Sequence, residues 1–105
     1  MENPYAKQKI IEDVTTEDTR VQITGYVKSI EQNSIVLDDT TGNIEVDVEN
    51  VDFQFKTDDL INVIGELTIN VKGQKILIAE IVQNMEKLNF KYYLKLYHVK
   101  KDLIE

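Results

Sequence analysis

The chain has no cysteine and no tryptophan, and only one proline, four glycines and one histidine in 105 residues. Without cysteine there is no disulfide framework and no thiolate metal site. That composition is compatible with an intracellular protein, in the cytoplasm of a prokaryote or the nucleus of a eukaryote. The single histidine, His98, sits among lysines and reads as a solvated or interface side chain. The P-loop, His-Glu-x-x-His and Gly-x-Ser-x-Gly patterns are all missing. Asp38 and Asp39 are adjacent carboxylates, but a turn with local Asp-to-backbone bonds explains them. No catalytic residue, metal or cofactor is therefore expected. Apolar runs such as "ILIAEIV" are too short to span a bilayer. The opening "MENPYAKQKIIEDV" lacks the apolar stretch of a signal peptide. No membrane association is expected.

Basic charge is also scarce. The net charge is −7, and it is unevenly spread. Residues 1–83 hold seven Lys or Arg against sixteen Asp or Glu, whereas residues 84–105 hold five Lys against three acids. The basic footprint of a duplex-nucleic-acid binder is absent. Any phosphate contact has to come from local patches.

What is present is alternation. Pro4 argues against regular structure at the start. "KQKIIEDV" reads as one helical turn or a short strand, with Ile10, Ile11 and Val14 plugging one end of a core. From Arg20 the period becomes two: in "RVQITGYVKSI", Val21, Ile23 and Val27 point one way and Gln22, Thr24, Tyr26 and Lys28 the other. "SIVLDD" and "NIEVDVE" are the second and third strands, joined by the turn "DDTTGN". "NVDFQFKTDD" is an irregular acidic connection. "LINVIGELTIN" and "ILIAEIV" are the fourth and fifth strands, joined by the hairpin "VKGQK". Gly25 and Gly65 interrupt the first and fourth strands, and a glycine inside such a pattern marks a bulge or bend. Five strands with two bends predict a small closed barrel over residues 1–83, with residues 1–19 as a lead-in. An open sheet packed on a helix is the alternative architecture.

The tail "QNMEKLNFKYYLKLYHVKKDLIE" holds four of the eight aromatic residues and lacks Gly and Pro. The pattern predicts one long helix over 84–105, with Asn84 as N-cap. Met85, Leu88, Tyr92, Leu96, Val99 and Leu103 form one stripe, wide enough to dock the helix on a barrel. Phe90, Tyr93, Tyr97 and Ile104 form a second apolar face. A helix apolar over more than half its circumference needs more than one neighbour, so the second face is expected to bind another chain. The subunit-interface candidates are Leu88, Phe90, Tyr92, Tyr93, Leu96, Tyr97, Val99, Leu103 and Ile104. In isolation the chain is expected to self-associate through this helix.

The V-x-I-x-G first strand, the D-D-x-T turn, the V-x-G-x-L fourth strand and the Lys-bearing hairpin leading into an apolar–aromatic helix span residues 20–104. In this order they resemble the oligonucleotide/oligosaccharide-binding (OB) subunits of replication protein A-like complexes. The chain resembles the middle subunit, the related OB subunit of the telomere-capping complex and their archaeal counterparts, and its length resembles short archaeal versions or the smallest subunit. The resemblance implies a five-stranded OB barrel followed by one long helix, an all-β fold with a C-terminal helix. It also implies assembly with other OB-fold subunits through that helix, and contact with single-stranded DNA through the complex. The family's base-stacking aromatics fall where this chain has Val48 to Val51 and Ile69 to Val71, with no aromatic among them. Stacking supplies much of single-strand affinity, so intrinsic binding is expected to be weak. The residues left for it are Tyr26 and Lys28 on the first strand, Phe53, Phe55 and Lys56 in the acidic connection, and Lys72 and Lys75 at the hairpin. The other function classes weighed are a protein-binding OB adaptor without a nucleic-acid role and a stand-alone single-strand binder.

Overall fold

The computed structural model describes residues 6–104, without the side chain of Ile104. The readings of Pro4 and of the Ile104 side chain lie outside the described residues. The elements are β1 (Lys7–Gln8), a 3-10 turn (Ile11–Asp13), β2 (Arg20–Ile30), β3 (Ser34–Asp38), β4 (Asn43–Asp47), β5 (Leu60–Ile69), β6 (Lys75–Asn84) and α1 (Phe90–Ile104).

The five long strands close into a mixed OB-like barrel. β2 pairs antiparallel with both β3 and β5, β3 with β4, and β5 with β6, while a parallel β4–β6 pairing shuts the ring. Alternation decides which side chains fill it. Val21, Ile23 and Val27 of β2 meet Ile35, Leu37, Val46, Val63, Leu77 and Ala79 in a core from which water is excluded.

Closure depends on β2 serving two neighbours. Tyr26 is the corner residue, opposite Asp38 of β3 and Leu60 of β5. The bulge expected at Gly25 falls one turn of pleat later, between Val27 and Ser29, and Gly25 stays in regular register with Ile61. What Gly25 supplies is space, since a Cβ there would lie 2.8 Å from the Asp38 carbonyl oxygen. At Gly65 the expectation holds: the β5–β6 register shifts between Ile64 and Gly65, and an added Cβ would overlap the Ile78 carbonyl oxygen.

The lead-in combines both sequence readings. Lys7 and Gln8 add a short parallel strand to β2 at Val21 and Gln22, and the 3-10 turn follows. Ile10, Ile11 and Val14 are buried. Asp39 ties this segment down. Its Oδ2 accepts the Ile11 amide at 2.7 Å, and its Oδ1 accepts the amide and hydroxyl of Thr41 at 2.9 and 2.6 Å. Asp38 Oδ1 accepts the Thr40 amide at 2.6 Å and holds Thr40 at φ 73°. Both carboxylates therefore do turn work, and Asp39 also latches the N-terminal segment onto the barrel.

The helix starts later than the sequence pattern places it. β6 runs on to Asn84, which pairs with Ile61, and the Met85 amide donates to the Leu60 carbonyl at 2.9 Å. The β5 edge thus satisfies backbone groups that a helix start at residue 84 would leave orphaned. Asn84 caps a turn instead, its Oδ1 accepting the Glu86 amide at 2.8 Å. The N-cap is Asn89, whose Oδ1 accepts the Tyr92 amide at 3.1 Å. Met85 and Leu88 consequently lie in the turn before α1 rather than on a helical stripe.

Candidate assembly and nucleic-acid surfaces

Phe90, Tyr93, Tyr97 and Lys101 recur at three- and four-residue spacing, so they share one face of α1. That face is turned onto the chain's own barrel. Phe90 is 8% exposed and meets the Tyr26 ring edge-on at a centroid distance of 5.1 Å. Tyr93 stacks on Phe90 at 5.9 Å with the rings 16° apart. One turn further, Tyr97 Oη donates to Asp13 Oδ2 at 2.8 Å and Lys101 Nζ donates to the same oxygen at 2.9 Å. Aromatic packing at one end and a charge-assisted clasp at the other fix the helix against β2 and the 3-10 turn.

The clasp perturbs both partners. Burial acts to raise the Asp13 carboxyl, but hydrogen bonds from Lys101 and Tyr97 and the charges of Lys101 and Lys9 outweigh it, leaving the pKa below its ordinary value. The Tyr97 phenol is pushed up to about 12, first by burial and then by its bond to the Asp13 carboxylate.

The other stripe faces outward. Tyr92, Leu96, Val99 and Leu103 are 61, 39, 47 and 81% exposed. The two faces have therefore exchanged the roles expected from sequence. Phe90, Tyr93 and Tyr97, read as the assembly face, are spent on the chain's own barrel. The stripe read as the docking face is the open one. The cause lies outside the helix: Tyr26 offers an aromatic edge and Asp13 an acceptor, and the Phe90–Tyr93–Tyr97 face presents two rings to the first and a hydroxyl one turn further on to the second, whereas the outer stripe has one ring, Tyr92, followed by aliphatic side chains. Contact between Asp13 and Tyr97 spans 84 residues of sequence, and no local pattern announces it.

The seven nucleic-acid candidates do not assemble into one open surface. Phe53 and Phe55 pack edge-on at 5.4 Å and lie partly buried against the barrel core. Tyr26 is half-buried beneath Phe90. Lys75 is drawn to the lead-in, its Nζ donating to the Val14 carbonyl at 2.9 Å. Lys28 lies 4.0 Å from Asp38 and Lys56 3.7 Å from Asp59. Lys72 stands exposed at the hairpin tip. The hollow holding Tyr26 and Lys28 also contains Asp38, and the neighbouring hollow beside Tyr26 is lined by Asp58, Asp59 and Glu86. Tyr26, Lys28 and Lys56 thus have carboxylates close by, which oppose phosphate.

Comparison with known proteins places this geometry. No curated protein sequence matches the chain. Among solved structures, the telomere capping protein Ten1 of S. pombe superimposes with a TM-score of 0.75 at 18% identity, over 93% of this chain and 99% of that one. A chain of the S. pombe Stn1–Ten1 complex gives 0.79 at 17% identity, over 96% of each. A chain of a replication protein A heterotrimer bound to single-stranded DNA gives 0.63 at 17% identity, over 81% of this chain and 72% of that one. These likenesses establish the OB fold with its C-terminal helix. The archaeal side of the resemblance gains no support from the family match, which covers residues 5–104. That span takes in the whole barrel and the terminal helix, and the chain belongs to the Ten1 family of telomere-capping, CST complex subunits.

Proposed function

We propose that the chain is a non-catalytic, intracellular subunit of a single-stranded-DNA-binding complex. In this reading it joins other OB-fold subunits through α1 and binds nucleic acid only weakly by itself. The observation that carries the proposal is the outer stripe of α1. Its four large apolar side chains are held away from a barrel already satisfied by the opposite face. A continuous apolar patch of this kind marks an interaction surface. The multi-chain Stn1–Ten1 and replication protein A assemblies among the similar structures support a subunit role. The carboxylates around Tyr26, Lys28 and Lys56 support weak intrinsic binding.

The test is purification of the native complex with identification of co-eluting chains, repeated with Leu96→Glu. Other OB-fold subunits that are lost from the variant support the proposal. Unrelated proteins in their place favour the adaptor reading. In fluorescence anisotropy, the chain alone should bind single-stranded DNA weakly and lose that binding steeply with salt. Tight binding at physiological salt, abolished by Lys72→Ala with Lys75→Ala, would make it a stand-alone binder.

A further inference from the structure

The outer stripe also specifies the chemistry of what covers it. Tyr92, Leu96, Val99 and Leu103 are spaced four, three and four residues apart, which is the a/d seam of a helix pair. Because Phe90, Tyr93 and Tyr97 pin the opposite face, the seam cannot rotate inward. Lys95, Lys100 and Asp102 take the exposed flanking positions that face a partner across such a seam, two cations to one carboxylate, with Lys91 and His98 beyond them. All five are exposed, and Lys91, Lys95 and Lys100 form no ion pair among the described residues. Helix α1 contains four lysines and a single carboxylate, Asp102, in a chain of net charge −7. With Lys101 turned to Asp13 on the inner face, the outward side of α1 still carries Lys91, Lys95 and Lys100 against Asp102, a local basic excess in an acidic chain.

Resting on the assembly reading above, we infer that α1 is built for a partner helix whose apolar seam is bordered by carboxylates. A second copy is a poor occupant. In a parallel pair of identical helices, Lys95 of each would face Lys100 of the other, and like charges across a seam select against that pairing; an antiparallel pair would match Lys95 with Asp102 but leave Lys100 without a carboxylate. An acidic rim brings opposite charges to both flanks. It also directs the encounter, since the rest of this acidic molecule turns such a partner away and α1 alone attracts it.

The probes are two designed helical peptides with Leu at every a and d position. One has Glu at every e and g position and the other has Lys. Each peptide's own rim opposes self-pairing. The full chain should bind the Glu-rimmed peptide about tenfold or more tightly than its Lys twin, with a preference that shrinks as salt is raised. Lys95→Glu with Lys100→Glu should invert the order, and Leu96→Glu should abolish binding of both peptides. Thermal melts confirm that each variant is folded. Equal affinity for the two peptides would overturn the acidic-partner inference and leave the outer stripe standing as the assembly face. A wild-type dimer in light scattering, unchanged by the double charge reversal, would assign the seam to a second copy and also overturn it. If neither peptide binds and Leu96→Glu still captures every native subunit, both readings fall.

Discussion

Helix α1 presents two apolar stripes of similar length, and they have opposite fates. The inner one, Phe90–Tyr93–Tyr97, is aromatic and ends in hydroxyls. The outer one, Tyr92–Leu96–Val99–Leu103, is mainly aliphatic. Hydrophobicity does not separate them. The inner stripe docks because the barrel offers Tyr26 for the rings and Asp13 for the hydroxyl and the ammonium that follows it. A partly polar stripe can satisfy a surface that has both an aromatic edge and an acceptor, whereas Leu96 and Val99 would leave Asp13 unpaired. The contrast teaches that a doubly apolar helix is oriented by its polar anchors, while the plainly greasy face is left exposed.

The most severe way to break this contrast is to remove the platform. Gly65→Val forces a side chain into the Ile78 carbonyl and should cost more than about 3 kcal/mol. Circular dichroism should then show loss of the barrel and of both helix faces together. Next in size is Phe90→Ala, which deletes a buried ring that touches two others. A loss of about 3 kcal/mol in urea unfolding is expected. Leu96→Glu, on the other stripe, should shift stability by no more than about 0.5 kcal/mol while eliminating assembly. Equal destabilisation by the two substitutions would mean that the faces are not distinct.

Smaller changes sharpen the comparison within the inner stripe. Tyr97→Phe removes the bond to Asp13 and should cost about 1 kcal/mol. Tyr93→Phe should do the reverse. The Tyr93 hydroxyl is buried without a hydrogen-bond partner among the described residues, so deleting it should leave stability unchanged or raise it by about 1 kcal/mol.

The clasp also predicts the pH dependence of the inner contact. Asp13 has a lowered carboxyl pKa, so its contribution is complete above the unfolded carboxylate value and is lost as pH falls through the lowered one. Tyr97 has a raised pKa, so its contribution is complete below its ordinary 10.0 and is lost as pH rises through about 12. Denaturation midpoints followed across pH should decline at both ends in wild type. Asp13→Asn should remove the acid decline due to this site, and Tyr97→Phe the alkaline one. Unchanged limbs in both variants would show that the clasp does not hold α1.

Much of this architecture was legible in one dimension. Alternation within the separate runs from Arg20 onward yields the five strands, because only one face of each can enter the barrel, while the last strand runs on to Asn84, past the stretch read as its end. The glycine interruptions yield the two close approaches, although at Gly25 the need is room for a neighbouring backbone rather than a bulge. The candidate surfaces were less legible. Phe53 and Phe55 have the composition of a stacking pair, and only the fold shows that they pack, partly buried, against the core. The sequence pattern put the N-cap at Asn84, and the reach of the β5 ladder moves it to Asn89.

By itself, the sequence determined the barrel, its inward residues and the presence of a helix with surplus apolar surface, since these follow from periodicity and chain stiffness over a few residues. The tertiary structure alone decided which helix face is inside. That choice depends on Tyr26 and Asp13, separated from their helix partners by 64 and 84 positions in the chain. A helical period shows which side chains share a face, but not which distant groups that face will meet.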